Sequence, residues 1–220
     1  WIVGENFSID LGCYGQPNVA TPHLDKLAAE GIRYTHAFAT SPVCAPSRSC
    51  FMLGMYQTTT DTHHMRSHRS DDFKLPPGIR PLTHRLKDAG YFTANITHLG
   101  TEEMGTGKLD LNFVNEGELY DSHQWDELKS HQPFFAQINL PEAEYDIYDR
   151  KSADKPRVPW VGEEWHPQVA TEENVTPRPY YPDHPISRQE WARYLNSVSG
   201  ADIRVGKILA RLKADGMDDD

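Results

Sequence analysis

The stretch "SPVCAPSRSCFMLGMY", residues 41–56, sets a cysteine just ahead of Pro46, Ser47 and Arg48. Pro46 suits a first helical turn, where its missing N–H is no loss and its φ is already helical. Phe51, Met52 and Met55 supply apolar bulk, and Gly54 is placed to end the helix. Cys44 therefore lies just outside a helix amino terminus, where N–H groups without intrahelical acceptors and a positive dipole end make a natural anion site. Arg48 is spaced to reach back toward it. Three readings of Cys44 follow: a packed thiol, a thiolate of lowered pKa, or a modified side chain.

Outward from this helix, strands alternate with helices. A short first strand ends near Gly4 and leads into a loop with Glu5, Asn6 and Asp10. Thr21-Pro22 starts a helix with Leu24, Leu27 and Ala28 on one face, and Gly31 stops it. Ile32, Tyr34, His36 and Phe38 alternate with Arg33, Thr35 and Ala37, the period of a strand. Residues 56–80 are polar and looped. Leu82, Leu86 and Ala89 mark a helix closed by Gly90, and Tyr91–Ile96 reads as a strand. A glycine-rich loop runs to Lys108, Leu111–Val114 reads as extended, and Asp126–Ser130 as helical. Pro133–Leu140 reads as a buried strand. Ser187 and Glu190 form a capping box for a helix carrying Trp191, Leu195, Val198, Val205, Leu209 and Leu212. This order predicts an α/β fold with a largely parallel central sheet flanked by helices.

The 220 residues suffice for one domain with a real core, and 38 % hydrophobic with 25 % charged residues is ordinary for a soluble globular chain. No apolar run approaches a membrane span. A net charge of −10 argues against nucleic acid as a partner. Charge is uneven, however. From His63 to Ala89 six Lys or Arg (Arg66, Arg69, Lys74, Arg80, Arg85, Lys87) face only Asp71, Asp72 and Asp88. That island is either a solvated loop or a contact for an anionic substrate. Cys13, Cys44 and Cys50 cannot all pair within the chain and have no zinc spacing. The segment 141–186 holds eight of the sixteen prolines, and its aromatic residues favour a packed insertion loop over disorder. The chain opens in strand-like sequence without Met and closes just after a helix, so both ends read as cut.

"CAPSRSCFMLG" resembles the sulfatase signature, Cys-x-Pro-Ser-Arg with a glycine ten residues after the cysteine; Gly54 falls there. "WIVGEN", "LGCYG", "TPHLDKLAAEGIRYTHAF", "GMYQTTT" and "PFFAQINL" are similar to further family segments. "AGYFTAN" with "GTGKLDLNF" resembles its second signature. The resemblance covers nearly the whole chain and points to the bacterial branch related to heparan and sulfoglucosamine sulfatases. It implies an alkaline-phosphatase-like sulfatase catalytic domain, of which residues 1–220 are the amino-terminal part. It further implies that Cys44 is oxidised by a formylglycine-generating or sulfatase-maturating enzyme. The resulting formylglycine (3-oxoalanine) hydrate binds a divalent cation, usually Ca2+. One hydroxyl attacks sulfur and the other later expels sulfate, an exit that a serine lacks. The implied metal ligands are Glu5, Asn6 and the modified Cys44. Arg48 steadies the diol and Lys108 contacts the sulfate. Asp110, Glu144, His63 and His64 are candidate substrate contacts. The implied substrate is a sulfate ester or N-sulfate on a sulfated carbohydrate, in the periplasm or outside the cell.

Several positions depart from the pattern. Asn6 replaces an acidic ligand, which keeps an oxygen donor and loses its charge. Glu144 stands where relatives often carry a histidine against the sulfate. Leu53 and Met55 replace the usual Thr and Arg. The strand that completes the family's metal site, ending in Asp-His or Asp-Asn, is not in the chain, so this piece is expected to be inactive by itself. Two alternatives to a sulfatase remain: an inactive sulfatase-like protein that binds glycans, and a phosphonate or phosphate ester hydrolase on the same scaffold.

Overall fold

Two compact units emerge from the computed structural model, one comprising Trp1 with residues 34–138 and the other residues 2–33 with 139–220. The residues described are 1–68, 70–144 and 169–218.

The first unit is organised by β2 (Phe92–Leu99). It pairs in parallel with β5 (Phe134–Leu140), Phe92 opposite Phe134 through Ile96 opposite Ile138. Beyond β2 lie β4 (Ser122–Gln124), parallel, and β3 (Glu102–Glu103), antiparallel. Thr93, Ala94, Asn95 and Ile96 are all buried, as expected for a strand covered on both faces. Trp1 lies beside β5, since its carbonyl accepts from Ile138 N–H at 2.8 Å. Its ring meets Phe51 and Phe135 edge-on, at 5.8 and 5.0 Å. The helices of this unit are α2 (Cys44–Leu53) and α3 (Leu82–Asp88). Met52 and Leu53 from α2 pack with Phe113, Leu119 and Tyr120.

The second unit holds β1 (Ile2–Gly4), α1 (Pro22–Glu30) and α4 (Pro185–Ala214). Glu5 N–H donates to Leu140 O at 3.0 Å, at the end of β5. Leu195, Val198, Ala201, Val205 and Ile208 make the buried stripe of α4. Its polar residues also face inward. Asp202 accepts from His23 N–H (3.1 Å) and Leu24 N–H (2.7 Å), so the first turn of α1 is capped by another helix. Thr21, expected to cap α1, makes no capping bond; its hydroxyl bonds Asp25 instead. Arg204 and Glu142 form an ion pair with both side chains fully buried.

Other sequence expectations need correction. Residues 32–38 form no strand, and Ile32, Tyr34 and Phe38 are 81 %, 68 % and 85 % exposed. Alternation alone does not make a strand; a ladder partner must supply the hydrogen bonds. The capping box at Ser187 is absent because α4 starts at Pro185, and His184 Nδ1 accepts from Ile186 N–H at 3.2 Å. Residues 125–130 form a 3-10 helix. From the expected extended run 111–114, only Val114 pairs, with Lys74. Most of the proposed insertion loop 141–186, including Tyr145, Tyr148, Trp160 and Trp165, lies outside the described residues, as does Arg69. No helix among the described residues is long and apolar enough to cross a membrane.

Candidate active site

Cys44 is the first residue of α2 and is partly exposed. Val43 before it is extended, and Pro46 removes one of the amino-terminal N–H groups. Gly54 closes the helix with φ 64, a left-handed turn that favours glycine. The signature thus folds as a capped helix with its cysteine at the positive end of the dipole.

Arg48 lies one turn on, on the face shared by positions four apart. It is only 3 % exposed, and its Nη1 donates to the Lys108 carbonyl at 3.1 Å. A guanidinium that far from water interacts strongly with a nearby anion. Tyr120 lies within its field. Burial pushes the Tyr120 phenol above its usual range, and the Arg48 charge opposes that shift.

The loop bearing Lys108 is held from two sides. Asn95 Nδ2 donates to the Gly107 carbonyl at 2.8 Å, and Gly107 has φ 64. A Cβ there would come within 2.9 Å of the Thr97 methyl, so glycine is needed for space as well as for φ. Asp110 accepts from Arg66 Nε at 3.2 Å, with its side chain 3 % exposed.

Sequence reasoning missed two residues that tie these loops to α2. Ser49 Oγ accepts from Asn112 N–H at 3.0 Å. Asn112 Nδ2 donates to the carbonyls of Thr62 (2.8 Å) and His64 (2.5 Å). The signal was present as a polar Asn between Leu111 and Phe113, where an apolar residue would be ordinary. The His63 and His64 rings lie against each other, tilted by 49° with centroids 4.2 Å apart, and His63 Nδ1 is 3.6 Å from Asp61. The first unit therefore brings Cys44, Arg48, Lys108, Asp110 and the His63–His64 loop into one hydrogen-bonded framework.

Glu5, Asn6 and Glu144 belong to the second unit. Glu5 is 5 % exposed and Glu144 half-buried, and each offers a carboxylate oxygen within 4.8 Å of the other's. Two carboxylates at that separation can both reach one divalent cation. The donors are hard oxygens, which fits calcium better than a softer metal. Glu144 thus adds an oxygen donor beside Glu5 that was not counted among the metal ligands. Asn6 has φ 55, a left-handed conformation that asparagine adopts more readily than most residues. Its identity therefore suits the backbone as well as any ligand role.

The sulfatase family model matches residues 1–220, the whole chain. This chain belongs to the sulfatase family. An ulvan-active sulfatase from Formosa agariphila is 27 % identical over 253 residues, covering 99 % of this chain and 41 % of the relative. An N-acetylgalactosamine-6-O-sulfatase from Bacteroides thetaiotaomicron is 36 % identical over 98 residues, covering 44 % of this chain and 19 % of the relative. Among solved structures, yidJ from Bacteroides fragilis, assigned as a sulfatase, superposes with a TM-score of 0.66 at 20 % identity, over 100 % of this chain and 59 % of its own. The chain spans less than two thirds of each of these relatives. The likeness to yidJ shows the fold: a sheet of mostly parallel strands flanked by helices, as in alkaline-phosphatase-like sulfatases.

Proposed function

We propose that this sulfatase hydrolyses sulfate esters or N-sulfates on a sulfated sugar, using formylglycine made from Cys44. The observation that carries this reading is the placement of Cys44 at the amino end of α2, with buried Arg48 on the same face, bonded to the Lys108 backbone. The names of its sugar-sulfatase relatives support the substrate class.

When present, the hydrated formylglycine and a divalent cation supply an activated hydroxyl for attack and a second one through which sulfate leaves. The chain's own residues do the rest. Arg48 lowers the cost of negative charge at position 44. The Lys108 ammonium pairs with sulfate oxygens. Glu5, Asn6 and Glu144 are oxygen donors for calcium. These fall short of the six to eight oxygens that calcium takes, so the 220-residue chain is expected to be inactive by itself. Calorimetry checks this: tight calcium binding by the isolated chain would contradict it. Maturation by a formylglycine-generating enzyme and a periplasmic or extracellular site of action belong to the same proposal.

The test is peptide mass mapping of Cys44 after co-expression with such an enzyme, together with turnover of sulfate and phosphonate esters by the intact protein. An aldehyde at residue 44 and faster sulfate cleavage are expected. An unmodified thiol would leave an inactive glycan binder, and preference for the phosphonate would reassign the enzyme.

A further inference from the structure

The basic island of residues 63–89 has no part in the reaction proposed above. Its second half folds into the wall of a cavity of about 510 Å³, closed by residues 114–116. That volume lies in the range of small-molecule sites, roughly 300–1,000 Å³. Pro76, Pro77, Pro81 and Ile79 line it together with Lys74 and Arg80. The prolines fix their φ angles, and Val114 N–H bonds Phe73 O at 2.8 Å, so the wall is preorganised.

The charges of this wall are available to a ligand. The Lys74 side chain is 66 % exposed and pairs with Glu116 at 3.0 Å. The Arg80 side chain is 48 % exposed and pairs with Asp88. Exposed ion pairs of this kind contribute little, so exchanging a carboxylate for another anion is cheap. Between residues 74 and 88 four Lys or Arg face one Asp, in a chain whose net charge is −10. The cavity thus combines apolar rings with exposed cations on an otherwise acidic protein. A pyranose offers C–H faces to such rings, and its sulfate or carboxylate groups answer the cations.

We propose that this cavity is a secondary binding site for an anionic glycan, holding a sulfated or carboxylated sugar unit through Lys74 and Arg80. In its choice of a charged sugar, it rests on the sulfatase reading. The site anchors a polymer away from the reacting bond and does no chemistry.

The experiment titrates a size-defined chondroitin sulfate oligosaccharide into the intact protein carrying Cys44→Ala and follows backbone amide signals. Signals from residues 74–84 and 114–116 are expected to shift and saturate. Lys74→Ala with Arg80→Ala should weaken that response by about tenfold, with an unchanged melting curve. Glu116→Gln should tighten it, because Lys74 loses a competing acid; a purely structural role would not predict a gain. A neutral oligosaccharide should move none of these signals. Silent signals, an equal response to the neutral sugar, or full affinity in the double variant would each overturn the site. Turnover of a small aryl sulfate by the matured protein reads the other proposal separately. Its absence with these shifts intact removes only the sulfatase reading, and its presence without them removes only this site.

Discussion

Helices α2 and α4 bury polar residues for opposite ends. In α2, ten residues long, the buried Arg48 and Ser49 reach into loops that carry Lys108 and Asn112. In α4, thirty residues long, the buried Asp202 and Arg204 meet α1 and Glu142. The first helix uses buried polarity to tie the loops of Lys108 and Asn112 to its partly exposed tip. The second uses it to fix how chain segments far apart in sequence pack. Function and stability should therefore respond to different substitutions.

The largest separation is expected at Cys44. Cys44→Ala should lower ester turnover by the matured intact protein by about 10⁴-fold or more. Its melting temperature should stay within about 3 °C of the wild type, because the side chain is partly exposed. A cooperative loss of fold would break the contrast between the helices. Arg204→Met should do the reverse. It strands Glu142, whose carboxyl is already pushed up by burial, and should cost about 3–5 kcal/mol in urea denaturation. Adding Glu142→Leu should recover most of that loss. If the double variant is no better than the single one, the pair is not what holds this region.

A smaller effect is expected at Asp202. Asp202→Ala leaves the first-turn N–H groups of α1 without their carboxylate and should cost about 1 kcal/mol, with Asp202→Asn milder. Faster amide exchange at His23 and Leu24 is the readout.

The smallest effect is a pH dependence in the polar loop of the first unit. His68 titrates above its ordinary value of 6.5, chiefly because Asp71 accepts its hydrogen bond at 2.7 Å. A histidine with a raised folded pKa stabilises the fold below 6.5 and loses that contribution as pH rises through the folded value. Asp71 is lowered from 3.8, first by the same bond, so its contribution is lost as pH falls through its folded value. A double-mutant cycle of His68→Asn and Asp71→Asn should show most coupling between pH 3.8 and 6.5, and little at pH 9. Equal coupling at pH 9 would mean the bond does not depend on the imidazolium.

The legible parts of the fold are those with local causes. Pro22 and Gly31 bracket α1, Gly54 and Gly90 follow α2 and α3, and β5 is a compact, mostly apolar run. Illegible parts depend on a partner. Ser122–Gln124 is polar and reads as loop, yet it is a strand because β2 offers an edge. Residues 32–38 have the better strand pattern and no ladder. The same holds at the candidate site. Cys44, Arg48 and Lys108 are readable as motif positions. The Ser49–Asn112 bond spans 63 residues; the polar Asn between Leu111 and Phe113 marks one end of it, but nothing local names Ser49 as its partner.

The sequence by itself determined the family, the reactive candidate at residue 44 and the periods of most helices and strands. Each of these is written in residues within a turn or two of one another, where propensity, capping and motif spacing act. Only the tertiary structure decided that Asp202 caps α1, that Glu142 and Arg204 neutralise each other, that Glu144 approaches Glu5, and that an alternating segment stays outside the sheet. Desolvation, ion pairing and strand pairing are set by groups that the fold brings in from elsewhere in the chain, and no local pattern encodes them.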